Sequence, residues 1–343
     1  MSVLRRETEI VHAIRSYLIA FLAASWFFLS SCRNDSPSNT SNPTTVLTGP
    51  ATFIAVGRLN GPLGIAVDAS GNVWVADTRN NLVRKYSSSA VQIDSIPIIL
   101  PSKIAIHKTT GDLLVVQGGT TVLRFLTQTK TLLASFPLSP FNGDASAVFD
   151  VNNRTSTSTP IVVNQLGDLD SSPAGDIFVS AQGSPANSVI RIVNGNVSAV
   201  AASAVDSATT GSRFLAVDAF GSVFTSFSFN RGPTSVTNVY ALIPGSIIQS
   251  HVLSEPLVSG SARGATIDAS GTMYLADPAT QELIAISTTT ERTIRGYLIP
   301  DVNNFSMIPR DVSVAPDGSV YVVVNDRLGT DAGAVVKYTL TTQ

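Results

Sequence analysis

The chain has little of the chemistry from which disulfides, metal clusters and nucleic-acid sites are built. Its 343 residues include one cysteine and three histidines, so an intrachain disulfide and a cysteine metal cluster are excluded. Charged residues make up 13% of the chain and balance to a formal net charge of −2, without the basic cluster that attracts phosphates. We therefore expect no nucleic acid among its partners.

Helical periodicity is also missing beyond residue 31. The sequence has instead short runs of Val, Ile, Leu and aromatic residues, separated by turns that contain Gly, Asp, Asn or Ser. Such runs are typical of β-strands, and with 44% hydrophobic residues they supply enough apolar surface for a sizeable core. The sequence therefore predicts an all-β fold and excludes general disorder.

The N-terminal segment has the pattern of an export signal. Three arginines precede an apolar run from Tyr17 to Leu29, which has the length of a signal-peptide core and is short for a membrane span. The only cysteine ends the motif Leu29–Cys32 (LSSC), which resembles the lipobox of bacterial lipoproteins. The resemblance implies that residues 1–31 are a signal peptide and that Cys32 is lipidated. An uncleaved signal anchor and an ordinary secreted protein are the alternatives, and each also places the domain outside the cytoplasm.

Residues 32–50 are rich in Ser, Thr, Asn and Pro, so they cannot bury enough apolar surface to offset the entropy of ordering. We interpret them as a disordered tether to a folded domain at 51–343. Arg33 stands where some lipoproteins have the acidic residue that is linked to inner-membrane retention. We therefore predict a monomer in the cell envelope, held at the outer membrane by the lipid on Cys32.

One hairpin turn recurs along the domain. In Asp68–Gly71 (DASG) the carboxylate can accept hydrogen bonds from turn amides, and the glycine supplies the positive φ that the turn requires. Related turns end at Gly71, Gly111, Gly175, Gly221, Gly271 and Gly318, with intervals of 40, 64, 46, 50 and 47 residues. A multi-strand repeat of this length predicts propeller blades. The longest interval predicts an insertion within Pro140 to Gln165, with a mobile loop at Asn153–Pro160.

Strand-like runs follow each turn, and the sixth copy ends too near residue 343 to include a fourth strand. A further apolar run, Thr52–Val56, precedes the first copy. We therefore predict a six-bladed β-propeller of four-stranded antiparallel blades, in which the N-terminal strand closes the ring by pairing into the last blade.

The first copy resembles an NHL repeat. The resemblance is carried by Pro62–Asp68 (PLGIAVD), Gly71–Asp77 (GNVWVAD) and Asn80–Tyr86 (NNLVRKY), and Gly264–Asp277 is the next best match. It extends over residues 52–340, but four of the copies keep the hairpin and lose much of the remaining pattern. The resemblance implies a six-bladed β-propeller and no single activity, because NHL proteins include lyases, sensor ectodomains, RNA-binding modules and protein-interaction modules.

Chemistry is expected where the copies depart from the shared pattern. Asp168 and Asp170 precede the third turn and, by strand alternation, share one face of a first strand. If that face lines the central channel, the two carboxylates are candidate ligand-binding groups, and calcium is the one cofactor that they suggest. The alternative is that both carboxylates lie at a solvated end of the strand and bind no ligand. The turn aspartates Asp68, Asp218 and Asp268 are predicted to cap their turns rather than to catalyse a reaction.

Three arginines recur eight residues before a turn glycine: Arg213, Arg263 and Arg310. Hydrogen bonding between blades would explain this spacing. The alternative is a ring of guanidinium groups that binds an anionic ligand, and we therefore include all three among the candidate ligand-binding residues.

The histidines bear on metal chemistry. Amidating lyases of the NHL type resemble zinc enzymes with several histidine ligands, whereas only His107 and His251 lie beyond the signal segment here. His107 occupies the place of the turn aspartate in the second copy and is predicted to be a turn residue. His251 is predicted to be an ordinary strand residue, and no metal-dependent lyase is expected.

No nucleophile elbow, phosphate-binding loop or Ser/His/Asp arrangement occurs in the sequence. We therefore predict a binding or interaction module for a protein, peptide or glycan, without a cofactor. The alternative is an exported lyase or lactone hydrolase with its site at the mouth of the central channel. An enzyme would gather several of Asp168, Asp170, Arg213, Arg263 and Arg310 around one channel opening.

Overall fold

The computed structural model describes residues 45–138, 142–143, 148–150, 155–157, 161–184, 186–204, 214–231, 234–242, 262–288, 292–301, 306–327 and 332–342. In these ranges the chain is all β, apart from a single 3₁₀ turn at Thr78–Asn80. Val46–Thr341 is one compact unit. The second unit, Met1–Thr45 with Thr342–Gln343, lies almost wholly outside the described residues.

The strands form six sheets, which we number along the chain after a first strand β1 at Thr45–Asn60. Sheet 1 contains β2 to β5 in order, at Gly64–Val67, Val73–Asp77, Leu82–Tyr86 and Gln92–Pro97. Sheet 2 contains β6 to β9 in order, at Pro101–Ile106, Leu113–Gln117, Thr121–Leu126 and Thr131–Pro137. In both sheets each strand pairs antiparallel with the next, as expected of hairpin-linked blades.

Sheet 3 is enlarged by the insertion. Three short strands come first, β10 to β12, at Asn142–Gly143, Val148–Asp150 and Thr155–Thr157. The four-stranded antiparallel blade follows with β13 to β16, at Ile161–Ser171, Ile177–Ser184, Ala186–Val193 and Asn196–Ala204. β10 extends one edge of this blade, and β11 and β12 extend the other.

Sheets 4 to 6 complete the set. Sheet 4 contains β17 to β19, at Leu215–Val217, Val223–Arg231 and Thr234–Leu242. Sheet 5 contains β20 to β23, at Gly264–Ile267, Thr272–Asp277, Glu282–Ser287 and Arg292–Leu298. Sheet 6 contains β24 to β26, at Met307–Val314, Val320–Asp326 and Ala332–Thr342, and β1 lies at its edge beside β26.

Three expectations from the sequence are corrected. The structure has five four-stranded blades rather than six, because sheet 4 has three strands and the chain after Leu242 lies outside the described residues until Ala262. β12 lies where a mobile loop was predicted, since Thr and Ser pair through their backbones with β11 without needing an apolar face. β1 is longer than the predicted Thr52–Val56 and begins inside the segment that was predicted to be a tether.

The core lies between neighbouring sheets, and alternate residues of one strand pack against different neighbours. In β3, Trp74 and Ala76 pack with residues of sheet 2, whereas Val73 and Val75 pack with residues of sheet 6. Both faces of a middle strand are therefore buried, which explains why the sequence shows continuous apolar runs instead of polar alternation.

One strand of each sheet contacts the corresponding strands of two other sheets. We call these six strands the inner strands: β2, β6, β13, β17, β20 and β24. β2 contacts β6, β6 contacts β13, β13 contacts β17, β17 contacts β20, β20 contacts β24, and β24 contacts β2. At the beginning of an inner strand, a side chain can therefore face the side chains of the other inner strands. We call the end where the inner strands begin the entry end, and the end with the hairpin glycines the turn end.

Candidate functional site

One position near the start of the inner strands changes between glycine, a cation, an anion and an aromatic residue along the repeat. It lies seven residues before the turn glycine, or eight in the second copy, which has one extra turn residue: Gly64, Lys103, Asp168, Phe214, Gly264 and Asp311. Two carboxylates and one ammonium group are therefore placed where two other copies have no side chain. Lys103 and Asp311, together with Asp168, Arg263 and Arg310, form what we call the entry cluster.

Backbone bulges shape the three inner strands that supply this cluster. The pairing register shifts between Pro101 and Ile104 in β6, and between Leu166 and Leu169 in β13. In β24 it shifts across Arg310, between Pro309 and Asp311. A bulge adds an unpaired residue and redirects the neighbouring side chains, and bulges are common beside functional sites. The entry cluster therefore lies where the regular blade geometry is interrupted.

Lys103 is at the centre of the cluster. Its ammonium group lies 3.0 Å from Asp311 Oδ1 and 4.0 Å from Asp168 Oδ1. It also donates to the backbone carbonyls of Arg263, at 2.8 Å, and Arg310, at 3.2 Å. The side chain is only 12% exposed, so these four oxygens replace the water that would otherwise solvate the charge. One lysine from sheet 2 thus connects sheets 3, 5 and 6.

The two carboxylates accept hydrogen bonds from backbone amides of other inner strands. Asp168 Oδ2 accepts from Leu215 N at 3.1 Å and from Ala265 N at 3.3 Å, which joins β13 to β17 and β20. Asp311 Oδ2 accepts from Ile65 N at 3.1 Å, which joins β24 to β2. The strands β2, β17 and β20 are edge strands of their sheets and have amides without a ladder partner. These aspartates satisfy such amides across the entry end.

Gly264 makes room for this arrangement. A Cβ at Gly264 would lie 1.9 Å from Asp311 Oδ1 and 2.7 Å from Asp311 Cα. Gly64 is equally close to the next strand, since a Cβ there would lie 2.5 Å from the carbonyl oxygen of Ser102. Glycine is therefore required at both positions for the inner strands to approach each other.

Burial sets the protonation of the acidic pair. It raises the pKa of Asp168 to about 8, with Asp311 adding to the rise and Lys103 opposing it. Burial also raises the pKa of Asp311, although Lys103 and the amide of Ile65 oppose the rise. Because Lys103 is nearer to Asp311, we infer that Asp168 is the carboxyl group that retains a proton near neutral pH. A carboxyl group of this kind can donate or accept a proton at physiological pH.

Arg263 and Arg310 directly precede Gly264 and Asp311 in the chain. Arg263 is exposed, and Arg310 is half-buried. Burial lowers the pKa of Arg310, and the charge of Arg263 lowers it further. The Nε of Arg310 is buried and has no hydrogen-bond partner among the described residues. The pair therefore presents positive charge that no described carboxylate neutralises.

Asp170 lies two residues further along β13. Its Oδ2 accepts from Val217 N at 2.8 Å and from the Lys108 ammonium group at 2.6 Å. Lys108 Nζ also donates to the carbonyl of Val217 at 2.7 Å. Asp170 therefore joins β13 to β17, as Asp168 does, but its partner is a different lysine and it is separate from the entry cluster.

The turn end repeats one chemistry. Asp68 Oδ1 accepts from Ser70 N and Asn72 N, and Asp218 and Asp268 bind the equivalent amides of their turns. Burial of Asp68 opposes its ionisation, but hydrogen bonds from Asn72 and Trp74 outweigh this and leave its pKa below the usual value. These contacts are those of turn caps, which is the role that the sequence predicted.

His107 takes the place of a turn aspartate in the second copy. Its Nε2 lies 3.0 Å from the carbonyl oxygen of Gly175, and its Nδ1 lies 3.3 Å from Thr110 N. A neutral ring with the proton on Nε2 satisfies both partners. Burial lowers the pKa of His107, which favours that neutral form, and the carbonyl of Gly175 opposes the shift. The predicted turn role fits these contacts, and the ring also connects sheets 2 and 3.

The structure brings together some of the predicted site residues. Asp168 contacts Lys103 through its carboxylate, and Arg263 and Arg310 contact it through their backbone carbonyls. Asp170 lies apart, and Arg213 is outside the described residues, as are Cys32 and His251. Lys103 and Asp311 were missed, because the sequence reading compared the arginines eight residues before each glycine and not the next position. Comparing that next position across the six copies would have found both residues.

The described part of the chain shows neither a metal cluster nor a membrane helix. No group of three or more His, Cys, Asp or Glu residues in these ranges is placed to hold a metal ion. Asp168 and Asp170 use their oxygens on backbone amides and lysines, so calcium binding by this pair would require those bonds to break. No described helix is long and apolar enough to cross a membrane.

A family model supports the repeat that the sequence suggested. The NHL repeat model matches residues 59–86, which include all of β2, β3 and β4. The match covers the copy that the sequence identified as the best preserved. A search of curated proteins finds no sequence relative.

Solved structures with similar folds are propellers of several activities. A gluconolactonase from Xanthomonas campestris aligns at TM-score 0.59 and 11% identity, over 88% of this chain and 95% of its own. Regucalcin from Agrobacterium tumefaciens, a calcium-binding protein, aligns at TM-score 0.54 and 15% identity, over 85% and 93% of the two chains. A streptogramin B lyase aligns at TM-score 0.54 and 15% identity, over 87% and 98%. Identities this low establish the fold alone.

Proposed function

We propose that this chain is an exported, lipid-anchored β-propeller that binds a polar ligand at the entry end of its inner strands. The observation that carries the proposal is the entry cluster, in which the carboxylates of Asp168 and Asp311 and the backbone carbonyls of Arg263 and Arg310 surround the buried ammonium group of Lys103. Burying charge costs free energy, and a fold that repeats one turn and one hairpin does not need charge at this position. A glycan or the end of a peptide or protein supplies the polar groups that such a site would bind.

The proposal includes closure of the six sheets into one ring. Support comes from the serial contacts of the six inner strands and from the position of β1 beside β26. Such a ring would hold the entry cluster rigid, because Lys103, Asp168 and Asp311 lie on strands that pack between two sheets.

The cellular part of the proposal rests on the sequence of the N-terminal segment. Cys32 would be lipidated after removal of residues 1–31, and the propeller would act in the cell envelope at the outer membrane as a monomer. Expression of the full chain with radiolabelled palmitate tests this directly. The wild type should incorporate label and fractionate with membranes, and Cys32→Ser should do neither. Equal labelling of the two proteins would rule out lipidation at this cysteine.

Hydrogen–deuterium exchange with the full chain tests where ligands bind. The probes are a panel of oligosaccharides, short peptides and lactones, each added to the wild type at matched ionic strength. A ligand at the entry end should slow exchange at the starts of β6, β20 and β24, and leave the turns around Gly71 and Gly271 unchanged. Protection confined to other surfaces, or no protection by any probe, would contradict the proposed site.

A second candidate function is lactone hydrolysis or lyase activity at the same cluster. It is favoured by Asp168, whose pKa of about 8 suits a proton donor or acceptor, beside an ammonium group that can stabilise a negative oxygen. The similar folds of a gluconolactonase and a streptogramin B lyase fit this reading. Among the cluster residues, Asp168 would move the proton and Lys103 would stabilise the developing charge.

Acid release from glucono-1,5-lactone at constant pH tests the enzyme reading. Turnover should fall by about a hundredfold in Asp168→Asn, because a general acid or base typically contributes that much. Asp94→Asn is the matched control, since Asp94 lies on outer strand β5 and pairs with Lys130. No release above the buffer rate by the wild type, for this lactone and for a cyclic peptide lactone, would leave the binding function as the better account.

A further inference from the structure

The geometry points to a carboxylate-binding site formed by Arg263 and Arg310 at the entry end, which rests on the binding function proposed above and specifies the chemistry of its ligand. The ligand class is a molecule with a free carboxylate. Arg263 directly precedes Gly264, and Arg310 directly precedes Asp311. The two arginines lie close enough for the charge of Arg263 to lower the pKa of Arg310.

Arg310 has a donor that the described protein leaves unused. Its Nε is buried and unpartnered, although Arg310 lies in a bulge whose neighbour Asp311 has a partner for each oxygen. Native proteins pair nearly all buried donors, and an unpaired one costs free energy. A ligand oxygen at this Nε would remove that cost. The bulge places Arg310 as the extra residue of β24, so its side chain is directed by an interruption of the strand.

The carboxylates of the cluster are already engaged. Asp311 Oδ1 faces Lys103 and accepts from Val312 N, and its Oδ2 accepts from Ile65 N. Asp168 accepts from three backbone amides, those of Leu169, Leu215 and Ala265. In the described part of the chain no carboxylate therefore pairs with either arginine, and the positive charge is available to a ligand.

A third cation lies beside the arginines. Lys103 Nζ donates to both of their backbone carbonyls, so the two arginine backbones are held next to one ammonium group. With Asp168 protonated, the cluster has three positive charges and one negative charge, so it is net positive. That charge attracts a carboxylate, and the two carboxylate oxygens fit the planar fork of a guanidinium group. A doubly charged phosphate would be repelled by Asp311, which lies 3.0 Å from Lys103.

Two sources can supply such a carboxylate, a sugar acid and the C-terminus of a peptide. Isothermal titration calorimetry with the full chain distinguishes them through two matched pairs of probes. Gluconate is compared with glucose, and N-acetyl-alanyl-alanine is compared with its C-terminal amide. The charged member of one pair should bind, and its neutral partner should bind at least about tenfold more weakly, because it lacks the charge-assisted hydrogen bond.

Three substitutions locate the site. Arg310→Gln should weaken carboxylate binding at least about tenfold, which corresponds to one charge-assisted hydrogen bond, and Arg263→Gln should weaken it less because Arg263 is more exposed. Arg310→Lys keeps the charge but loses the Nε donor, and should bind with intermediate affinity. Arg58→Gln is the matched control, since Arg58 is exposed on edge strand β1, and it should bind as the wild type does.

Thermal unfolding without ligand separates binding from a structural role. Arg310→Gln should melt at the same temperature as the wild type or higher, because it removes a buried unpaired donor and the repulsion from Arg263. A fall of several degrees together with unchanged carboxylate affinity would show that Arg310 is structural and would overturn the inference. So would the absence of binding by both carboxylates, or tighter binding of inorganic phosphate.

These experiments distinguish a failure of the carboxylate site from a failure of the proposed binding function. If a neutral probe protects the entry end in hydrogen exchange and its affinity is unchanged in Arg310→Gln, the binding function stands and the carboxylate site does not. If no probe protects the entry end, both are wrong.

Discussion

The two ends of the inner strands use polar residues in opposite ways. At the turn end the same contact recurs, in which an aspartate or His107 accepts from the amides of its own turn. At the entry end the residue varies between Gly, Lys, Asp and Phe, and Lys103, Asp168 and Asp311 make contacts that cross from sheet to sheet. A contact that recurs from blade to blade serves the blade, whereas a contact that occurs once serves the assembly or a ligand.

The comparison is sharpest for the lysines. Lys103→Met should lower the free energy of unfolding at pH 7 by about 3–5 kcal/mol, because it leaves a buried carboxylate without its cation. Lys108→Met is the matched control and should cost about 1 kcal/mol or less, since the Lys108 side chain is 33% exposed where that of Lys103 is 12%. Urea unfolding measures both values. Equal losses would show that the entry cluster has no special burial cost.

A glycine pair tests the close approach of the inner strands. Gly264→Ala should cost about 3 kcal/mol, because its Cβ would overlap both the carboxylate and the backbone of Asp311. Gly111→Ala, at a turn with φ +73° and no atom within 4 Å of the added Cβ, should cost about 1 kcal/mol from backbone strain alone. Thermal unfolding of the two variants shows which substitution costs more stability. A larger loss for Gly111→Ala would contradict the packing described at the entry end.

The entry end should lose stability as pH rises. The folded-state pKa of Asp168 is raised from 3.8 to about 8, so its contribution is complete below pH 3.8 and is lost as pH rises through about 8. Asp168→Asn mimics the neutral carboxyl group and should show a smaller decline in melting temperature over that interval. Parallel declines in the variant and the wild type would mean that Asp168 does not retain its proton.

The turn end should respond to pH in the opposite direction, with the smallest effect of the four. The folded-state pKa of His107 lies below its usual 6.5, so its contribution is complete above 6.5 and is lost as pH falls through the lowered value. His107→Gln keeps a donor and an acceptor and should reduce the loss in melting temperature under mildly acidic conditions. If the melting temperature of the variant falls in acid as much as that of the wild type, groups other than His107 cause the loss.

Much of the fold could be predicted from the sequence because it depends on local chemistry. The turn glycines 71, 111, 175, 221, 271 and 318 all have positive φ, and strands flank each turn as the apolar runs predicted. The number of four-stranded blades and the strand at Thr155–Thr157 were not predicted correctly. The strand β12 is polar and is held by backbone pairing with β11, so local composition does not reveal it.

The sequence by itself determined the repeating unit, the turn chemistry of Asp68 and His107, and the likeness of the first copy to an NHL repeat, because each depends on residues within one hairpin. Only the tertiary structure decided that Lys103 lies between Asp168 and Asp311. These residues are 65 and 208 positions from Lys103 in the chain, and their contact depends on bulges and on the glycine at 264 that lets two inner strands approach. Burial in that place, which no local pattern encodes, then set the proton affinity of Asp168 and left Arg310 with an unpaired donor.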